Sequence, residues 1–156
     1  ANGGVLVKIQ RMLVPVDLSE TSKRALAAAV ELAGTLRTER ITVLHVAMRP
    51  TDYTPLDDWI FGKHQPPKAV EDKVLRSAEA SLEKLIERYD AAPVDLAVRV
   101  EFGPASAIVL EVAKEEASDL IVIGTRGRNA PRLQKMLGST SQRVLRASPC
   151  PVLSIA

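Results

Sequence analysis

Residues 11–48, RMLVPVDLSETSKRALAAAVELAGTLRTERITVLHVAM, contain the pattern that decides the fold. Two short runs of mainly apolar residues, 11–16 and 40–48, are typical of strands that are covered on both faces of a sheet. Between them, apolar residues recur at helical spacing behind polar residues that can cap a helix: Leu26, Val30, Ala33 and Leu36. The stretch therefore predicts a strand–helix–strand unit with parallel strands joined by a right-handed crossover.

The rest of the chain continues the alternation of helix and strand. After Pro66 and Pro67 we expect a helix to Tyr89, then a strand over 94–102 whose alternating polar residues favour a sheet edge. The later elements are a helix after Gly103, a strand over 120–123, a helix from Ser139 with Val144 and Leu145 facing inward, and a strand over 151–155. This order predicts an α/β fold, a five-stranded parallel sheet with helices on both faces.

The composition is that of one globular domain. The 156 residues are 46% hydrophobic and 26% charged, so we expect residues 1–156 to share one core. The longest unbroken apolar run, 25–30, is far shorter than the ~20 residues of a membrane span, so no membrane partner is expected. The lone Cys150 excludes an internal disulfide and suits a reducing compartment, which predicts a cytoplasmic location.

The net charge of +2 hides an uneven distribution along the chain. Residues 1–119 carry all 19 acidic residues and a net charge of −4, whereas residues 120–156 carry six basic residues and no acid. Such a cluster attracts a polyanion, although a solvated helix face is an equally good interpretation of charge alone. No aromatic residue follows Phe102, which weighs against nucleic acid as the partner.

The segment 49–68 differs from its surroundings. It contains four of the ten prolines and three of the five aromatic residues. A loop of this length is usually functional or disordered. We expect a mobile, partly ordered loop over the functional site, with a plain linker as the alternative.

In open α/β sheets, ligands bind beyond the carboxyl ends of the strands, where the strand order reverses. This rule selects 15–17, Val46 and 124–127 as candidate ligand-binding residues. Further along the chain, Gly138-Ser139-Thr140 lie at the start of a helix, where free backbone N–H groups suit phosphate. At the glycines, a side chain would hold the backbone away from an anion or forbid a positive φ. Other interpretations are turn glycines, Ser139 or Asp17 acting only as a helix cap, and His45 as a packed core residue.

Several catalytic patterns are missing from the sequence. No G-x-x-x-x-G-K-[ST] occurs, and no G-x-G-x-x-G follows the first strand. There is also no G-x-S-x-G elbow, no H-E-x-x-H and no paired Cys/His set, so we assign no catalytic residue and expect no fast turnover.

Four segments resemble the universal stress protein family: MLVPVDLSE (12–20), TVLHV (42–46), DLIVIGTRG (119–127) and GSTSQRVLRASPCPVLSI (138–155). The resemblance extends over nearly the whole chain. It implies a Rossmann-like sheet in the strand order 3-2-1-4-5. It also implies a regulatory protein of the stress response. One branch of the family binds ATP through a pattern of Gly, two residues, Gly, nine residues, Gly, and then Ser or Thr.

Carried over by position, the family's site falls on eleven residues. Pro15, Val16, Asp17 and Val46 would meet adenine and ribose. Ile123, Gly124, Arg126, Gly127, Gly138, Ser139 and Thr140 would line the nucleotide and its phosphates. The resemblance leaves AMP and ADP open beside ATP, and Mg²⁺ would accompany ATP.

The chain departs from the family pattern in one place. Ten residues, 128–137 with Pro131 among them, separate the second and third glycines instead of nine. One residue added within a helix would turn the following residues by about 100°, whereas one added in a loop would be harmless. The alternative is therefore a nucleotide-free interaction module. The resemblance also implies a homodimer through the strand at 151–155.

Overall fold

The computed structural model describes residues 8–49, 68–126 and 137–156. Within them lies one five-stranded parallel sheet, in which the strand order 3-2-1-4-5 confirms the order that the family resemblance implies. The strands are β1 (Arg11–Pro15), β2 (Arg40–Ala47), β3 (Asp95–Phe102), β4 (Leu120–Gly124) and β5 (Val152–Ile155). The third strand is at a sheet edge, as its alternating pattern predicted.

Four helices connect the strands in the described residues: α1 (Glu20–Leu36), α2 (Lys68–Ile86), α3 (Ala105–Glu115) and α4 (Ser139–Ala147). Helix α2 ends three residues before Tyr89, whose N–H instead closes a turn on the Ile86 carbonyl at 3.0 Å. The expectation that Leu145 faces inward was wrong, because Leu145 is 39% exposed while its neighbour Val144 is fully buried. None of the described helices is both long and apolar enough to cross a membrane.

The sheet separates two hydrophobic cores. Because side chains alternate along a strand, Met12 and Val14 of β1 pack with α1 and α2, whereas Leu13 packs with α3 and α4 on the opposite face. Both faces of the central strands are therefore covered by helices, and this explains why β1 and β4 are continuous apolar runs.

Strand β1 lies at the centre, paired with β2 on one side and β4 on the other. The Asp119 carboxylate accepts hydrogen bonds from the N–H groups of Gln10 and Arg11, each at 2.9 Å, and so ties the start of β1 to β4. The chain leaves β1 towards β2 and returns from β3 to β4 on the other side of β1. The crevice expected at such a switch point lies between the carboxyl ends of β1 and β4.

The edge strand β3 carries an ionic cluster. The Arg99 guanidinium contacts carboxylates of Glu101 and Glu115 at 2.9 Å and of Glu116 at 3.1 Å. Burial alone would lower the pKa of Arg99, but hydrogen bonds to the three carboxylates outweigh it and hold that pKa above its ordinary value. Charged side chains on an edge strand oppose pairing with another sheet.

Candidate functional site

A cleft of about 660 Å³, open to solvent, lies at the carboxyl ends of β1, β2 and β4. Ten of the eleven residues expected from the sequence line it: Pro15, Val16, Asp17, Val46, Ile123, Gly124, Arg126, Gly138, Ser139 and Thr140. The eleventh, Gly127, lies outside the described residues, as do 128–136 and nearly all of the loop expected over 49–68.

Five further residues line the cleft that sequence reasoning missed: Ser22, Leu44, Ala105, Val109 and Ser141. Leu44 and Val109 are buried core residues, and nothing in their spacing distinguishes them from the rest of the core. Ser141 is the exception, because it is the second serine of the Gly138-Ser-Thr-Ser run and lies in the same helical turn as the predicted hydroxyls.

One end of the cleft is apolar. Val16, Leu44, Val109 and Ile123 present side chains there that are at most 4% exposed and held by the cores on the two faces of the sheet. A slot of this kind buries a flat aromatic ring without leaving a polar protein group unpaired.

The other end of the cleft is the N-terminus of α4. Gly138 is the residue that precedes this helix, and it supplies no side-chain hydrogen bond to the first turn. The alternative interpretation, in which Ser139 only caps the helix, is therefore wrong, since Ser139 is its first helical residue. The first N–H groups of a helix have no intrahelical partner and carry the positive end of its dipole, which suits an anion.

Hydrogen bonds fix the segments around this helix end. The Gly138 N–H donates to the Thr125 carbonyl at 2.7 Å, and the buried Ser141 hydroxyl donates to the Gly124 carbonyl at 2.7 Å. The chain that leaves at Arg126 therefore returns at Gly138, next to its point of departure. Whatever the ten residues between the glycines do, α4 still begins at the cleft.

The N-terminus of α1 forms a third wall of the cleft. The Thr21 hydroxyl donates to the Arg126 carbonyl, which links this helix to the segment after β4. Ser19 caps α1, because its hydroxyl accepts from the Ser22 N–H at 3.2 Å. The expectation that Asp17 caps the helix was wrong: its carboxylate accepts instead from the Ser19 N–H at 3.0 Å.

Gly124 is required for a different reason from the one expected. Its φ is not positive, and a Cβ at this position would lie 3.0 Å from the Ser22 nitrogen and 3.0 Å from the Thr21 carbonyl carbon. The glycine therefore allows α1 to approach the end of β4, and with it brings Thr21 to Arg126. Gly138 also has a negative φ, of −62°.

Two other sequence hypotheses concern histidine and metal. His45 does not line this cleft; it is half-buried on the opposite face of the sheet, and its Nδ1 lies 2.7 Å from the Val16 carbonyl oxygen. Among the described residues, no group of three or more His, Cys, Asp or Glu side chains is placed to hold a metal ion. Asp17 is the one carboxylate that lines the described part of the cleft.

Comparison with known proteins identifies relatives over the full fold. The model of the universal stress protein family matches residues 8–155. Universal stress protein YxiE of Bacillus subtilis is 32% identical over 149 residues, covering 93% of this chain and 97% of that protein. The solved structure of universal stress protein UspA from Lactobacillus plantarum is 27% identical with a TM-score of 0.70, covering 96% of this chain and 99% of the other.

Two more distant structures contain a nucleotide. A universal stress protein in complex with cAMP is 21% identical with a TM-score of 0.64, covering 96% of this chain and 98% of the other. A family protein from Arabidopsis thaliana with AMP bound is 20% identical with a TM-score of 0.58, covering 94% of this chain and 90% of that chain. At these identities the similarity establishes the shared fold.

Proposed function

Since the chain belongs to the universal stress protein family, we propose that it is a regulatory protein of the stress response whose cleft binds an adenine nucleotide, with ATP as the ligand. One observation carries the proposal: an apolar slot and the open N-terminus of α4 are opposite ends of one cleft. The slot fits a base and the helix end fits phosphate. The cAMP and AMP bound by the two distant structures support the same ligand class.

Each predicted site residue has a place in this proposal. Pro15, Val16, Val46 and Ile123 line the base, and Asp17 accepts from the ribose hydroxyls. Ser139, Thr140 and the backbone of Gly124 and Gly138 receive the phosphates, as does Gly127 by its sequence position. Arg126 neutralises their charge. The Ser139 and Thr140 hydroxyls at the phosphate end are oxygen ligands, so they would accompany Mg²⁺ carried in on ATP.

Slow or absent hydrolysis follows from the lining. Among the described residues of the cleft, Asp17 is the one side chain that could act as a general base, and it already accepts a hydrogen bond from the Ser19 N–H. We therefore expect nucleotide occupancy, rather than turnover, to carry the signal in the cytoplasm.

Calorimetric titration with ATP, ADP and AMP tests the proposal. Arg126→Gln should weaken ATP binding about tenfold and AMP binding less, because a charge-assisted contact to the outer phosphates is lost. Arg146→Gln is the matched control, since it removes an arginine from the last turn of α4, away from the cleft. If none of the three nucleotides binds the wild-type chain, the nucleotide-free interaction module replaces this proposal.

We further propose that the protein forms a homodimer through β5. This strand is at a sheet edge, and its Val152, Leu153 and Ile155 are only half-buried. The carbonyls of Pro151 and Ile155 face β4, so the N–H of Ser154 points towards the open edge in a parallel ladder. An edge of this kind is protected when a second copy pairs with it.

The dimer is tested by light scattering after size-exclusion chromatography. The wild-type chain should run at about twice its 16.9 kDa. Ser154→Pro should run as the monomer, because it removes an outward N–H while keeping the bonds to β4, and Ser154→Ala should remain a dimer. A wild-type monomer at micromolar concentration contradicts the proposal.

A further inference from the structure

A second cleft of about 730 Å³, also open to solvent, lies on the opposite face of the sheet from the first. Its walls are α2 and the turn between β1 and α1, with β2 at its base. None of the residues that line it belongs to the nucleotide site proposed above.

One side of this second cleft is apolar. Val74, Ala78 and Leu82 recur every four residues and so form a stripe along α2. Leu18 faces them from the turn, where it adopts a positive φ of 65°. A branched residue rarely adopts this backbone conformation. Here the conformation places the Leu18 side chain in the cleft and against the core that the sheet shares with α1 and α2.

The other side is polar and positively charged. Lys73, Ser77 and Ser81 recur at the same spacing and form a second stripe next to the apolar one. Among the described residues, no acidic side chain lines the cleft and the Lys73 ammonium makes no ion pair. A cation in this position is available to an anionic ligand.

His45 adds a polar group of defined orientation. Its Nδ1 lies 2.7 Å from the Val16 carbonyl oxygen, which can only accept a hydrogen bond, so Nδ1 carries the proton. The other ring nitrogen, Nε2, then remains for a ligand or water in the second cleft, which His45 lines.

We propose that the second cleft binds an aliphatic monocarboxylate. Its hydrocarbon chain packs along Val74, Ala78 and Leu82. Its carboxylate meets Lys73 and the hydroxyl of Ser77, since the Ser81 hydroxyl already donates to the Ser77 carbonyl at 2.9 Å. An apolar stripe beside an unpaired cation fits a molecule that has a hydrocarbon chain and one anionic end. The chain is then buried on the apolar stripe, and the anion makes a charge-assisted hydrogen bond to the cation. The acid and the nucleotide would occupy different clefts, since these lie on opposite faces of the sheet and share no described lining residue.

Titration of the full chain with octanoate, followed by calorimetry, tests the proposal. We expect saturable binding of one octanoate per chain and none of octan-1-ol at the same concentration, because the alcohol lacks the charge. Lys73→Gln should weaken octanoate binding about tenfold. Lys84→Gln is the control, because it removes an exposed lysine from the last turn of the same helix, outside the cleft.

Three results would overturn the proposal. They are the absence of saturable octanoate binding, equal binding by the Lys73→Gln and Lys84→Gln variants, and displacement of octanoate by AMP in simple competition, which would place the acid in the first cleft. Lys73 is exposed, so its replacement leaves the fold intact, and unchanged circular dichroism will verify this. A chain that binds octanoate but no nucleotide would contradict the proposed function alone.

Discussion

Replacing Gly124 by alanine should lower the free energy of unfolding, although alanine adds only one methyl group. The new Cβ would lie 3.0 Å from the Ser22 nitrogen and the Thr21 carbonyl carbon, and 3.1 Å from the Thr21 oxygen. All three are backbone atoms in the first turn of α1, so no side chain can rotate to relieve the contact. The helix itself must move away from β4.

The size of the effect follows from this geometry. Extra atoms forced into a packed interior cost about 1–3 kcal/mol. For a domain of this length, 1 kcal/mol corresponds to about 2–4 °C in Tm, so we expect a decrease of about 2–12 °C. Gly34 gives the matched control, because it lies within α1 and no atom is within 4 Å of a Cβ built there. Gly34→Ala should raise stability by about 0.5–1 kcal/mol, since alanine favours a helix over glycine.

Thermal and urea unfolding, monitored by circular dichroism, measure both variants against the wild type. The expected result is opposite signs: a lower Tm for Gly124→Ala and a higher Tm for Gly34→Ala. If Gly124→Ala is as stable as the wild type, the close approach of α1 is not the reason for glycine at this position. The proposed coupling of Gly124 to the phosphate end of the cleft through Thr21 would then be refuted as well.

Further predictions concern single side chains. Ser141→Ala should reduce the free energy of unfolding by about 1–3 kcal/mol in urea, because the buried Gly124 carbonyl loses its donor; an unchanged midpoint would contradict this. Ser19→Ala should cost about 1 kcal/mol in the same assay, since α1 loses its cap, and equal stability would show that the cap is dispensable. Arg99→Gln should destabilise the protein by about 1–2 kcal/mol in dilute buffer and by less in 1 M NaCl, where the repulsion among the three glutamates is screened; a loss independent of salt would refute the electrostatic cause. Burial raises the pKa of the Cys150 thiol, so its thiolate is scarce at neutral pH, and alkylation by iodoacetamide should accelerate as the pH rises towards and above 9, the ordinary value for a thiol; a rate that is flat between neutral and alkaline pH would be inconsistent with this.

The sheet could be predicted because burial leaves a strong signature in the sequence. β1, β2 and β4 are covered on both faces and therefore appear as continuous apolar runs, whereas β3 alternates because it lies at an edge. The position of the cleft followed from topology alone, since the carboxyl ends of neighbouring parallel strands must lie at the same edge of the sheet.

The errors all depend on local geometry that composition does not encode. Two polar residues, Asp17 and Ser19, precede α1, and after the turn at Leu18 it is Ser19 that forms the cap. In α4, Val144 and Leu145 are neighbours and so point about 100° apart around the helix axis. Because only one side of this short helix meets the sheet, Val144 is buried and Leu145 is exposed.

Features formed by distant segments could not be predicted from sequence. Glu115 and Glu116 reach Arg99 only when the end of α3 lies beside β3. The second cleft exists only because α2 crosses β2 opposite Leu18. The sequence identifies Gly124 as a candidate site residue. It does not show that a side chain at Gly124 would collide with the backbone of a helix more than a hundred residues earlier in the chain.

The pairing of β1 with β4 has a consequence for protein synthesis. Arg11 and the carboxylate that binds it are 108 positions apart, and the cleft at the opposite, carboxyl ends of the two strands is complete only when Ser141 is also in place. A nascent chain emerging from the ribosome therefore leaves β1 unpaired on its β4 side until β4 has been translated, and the cleft stays incomplete until α4 has followed. Occupancy of the cleft would then mark molecules in which α4 has formed, and fragments truncated before α4 would be left without a pocket and with an unprotected hydrophobic edge for chaperones and proteases to recognise.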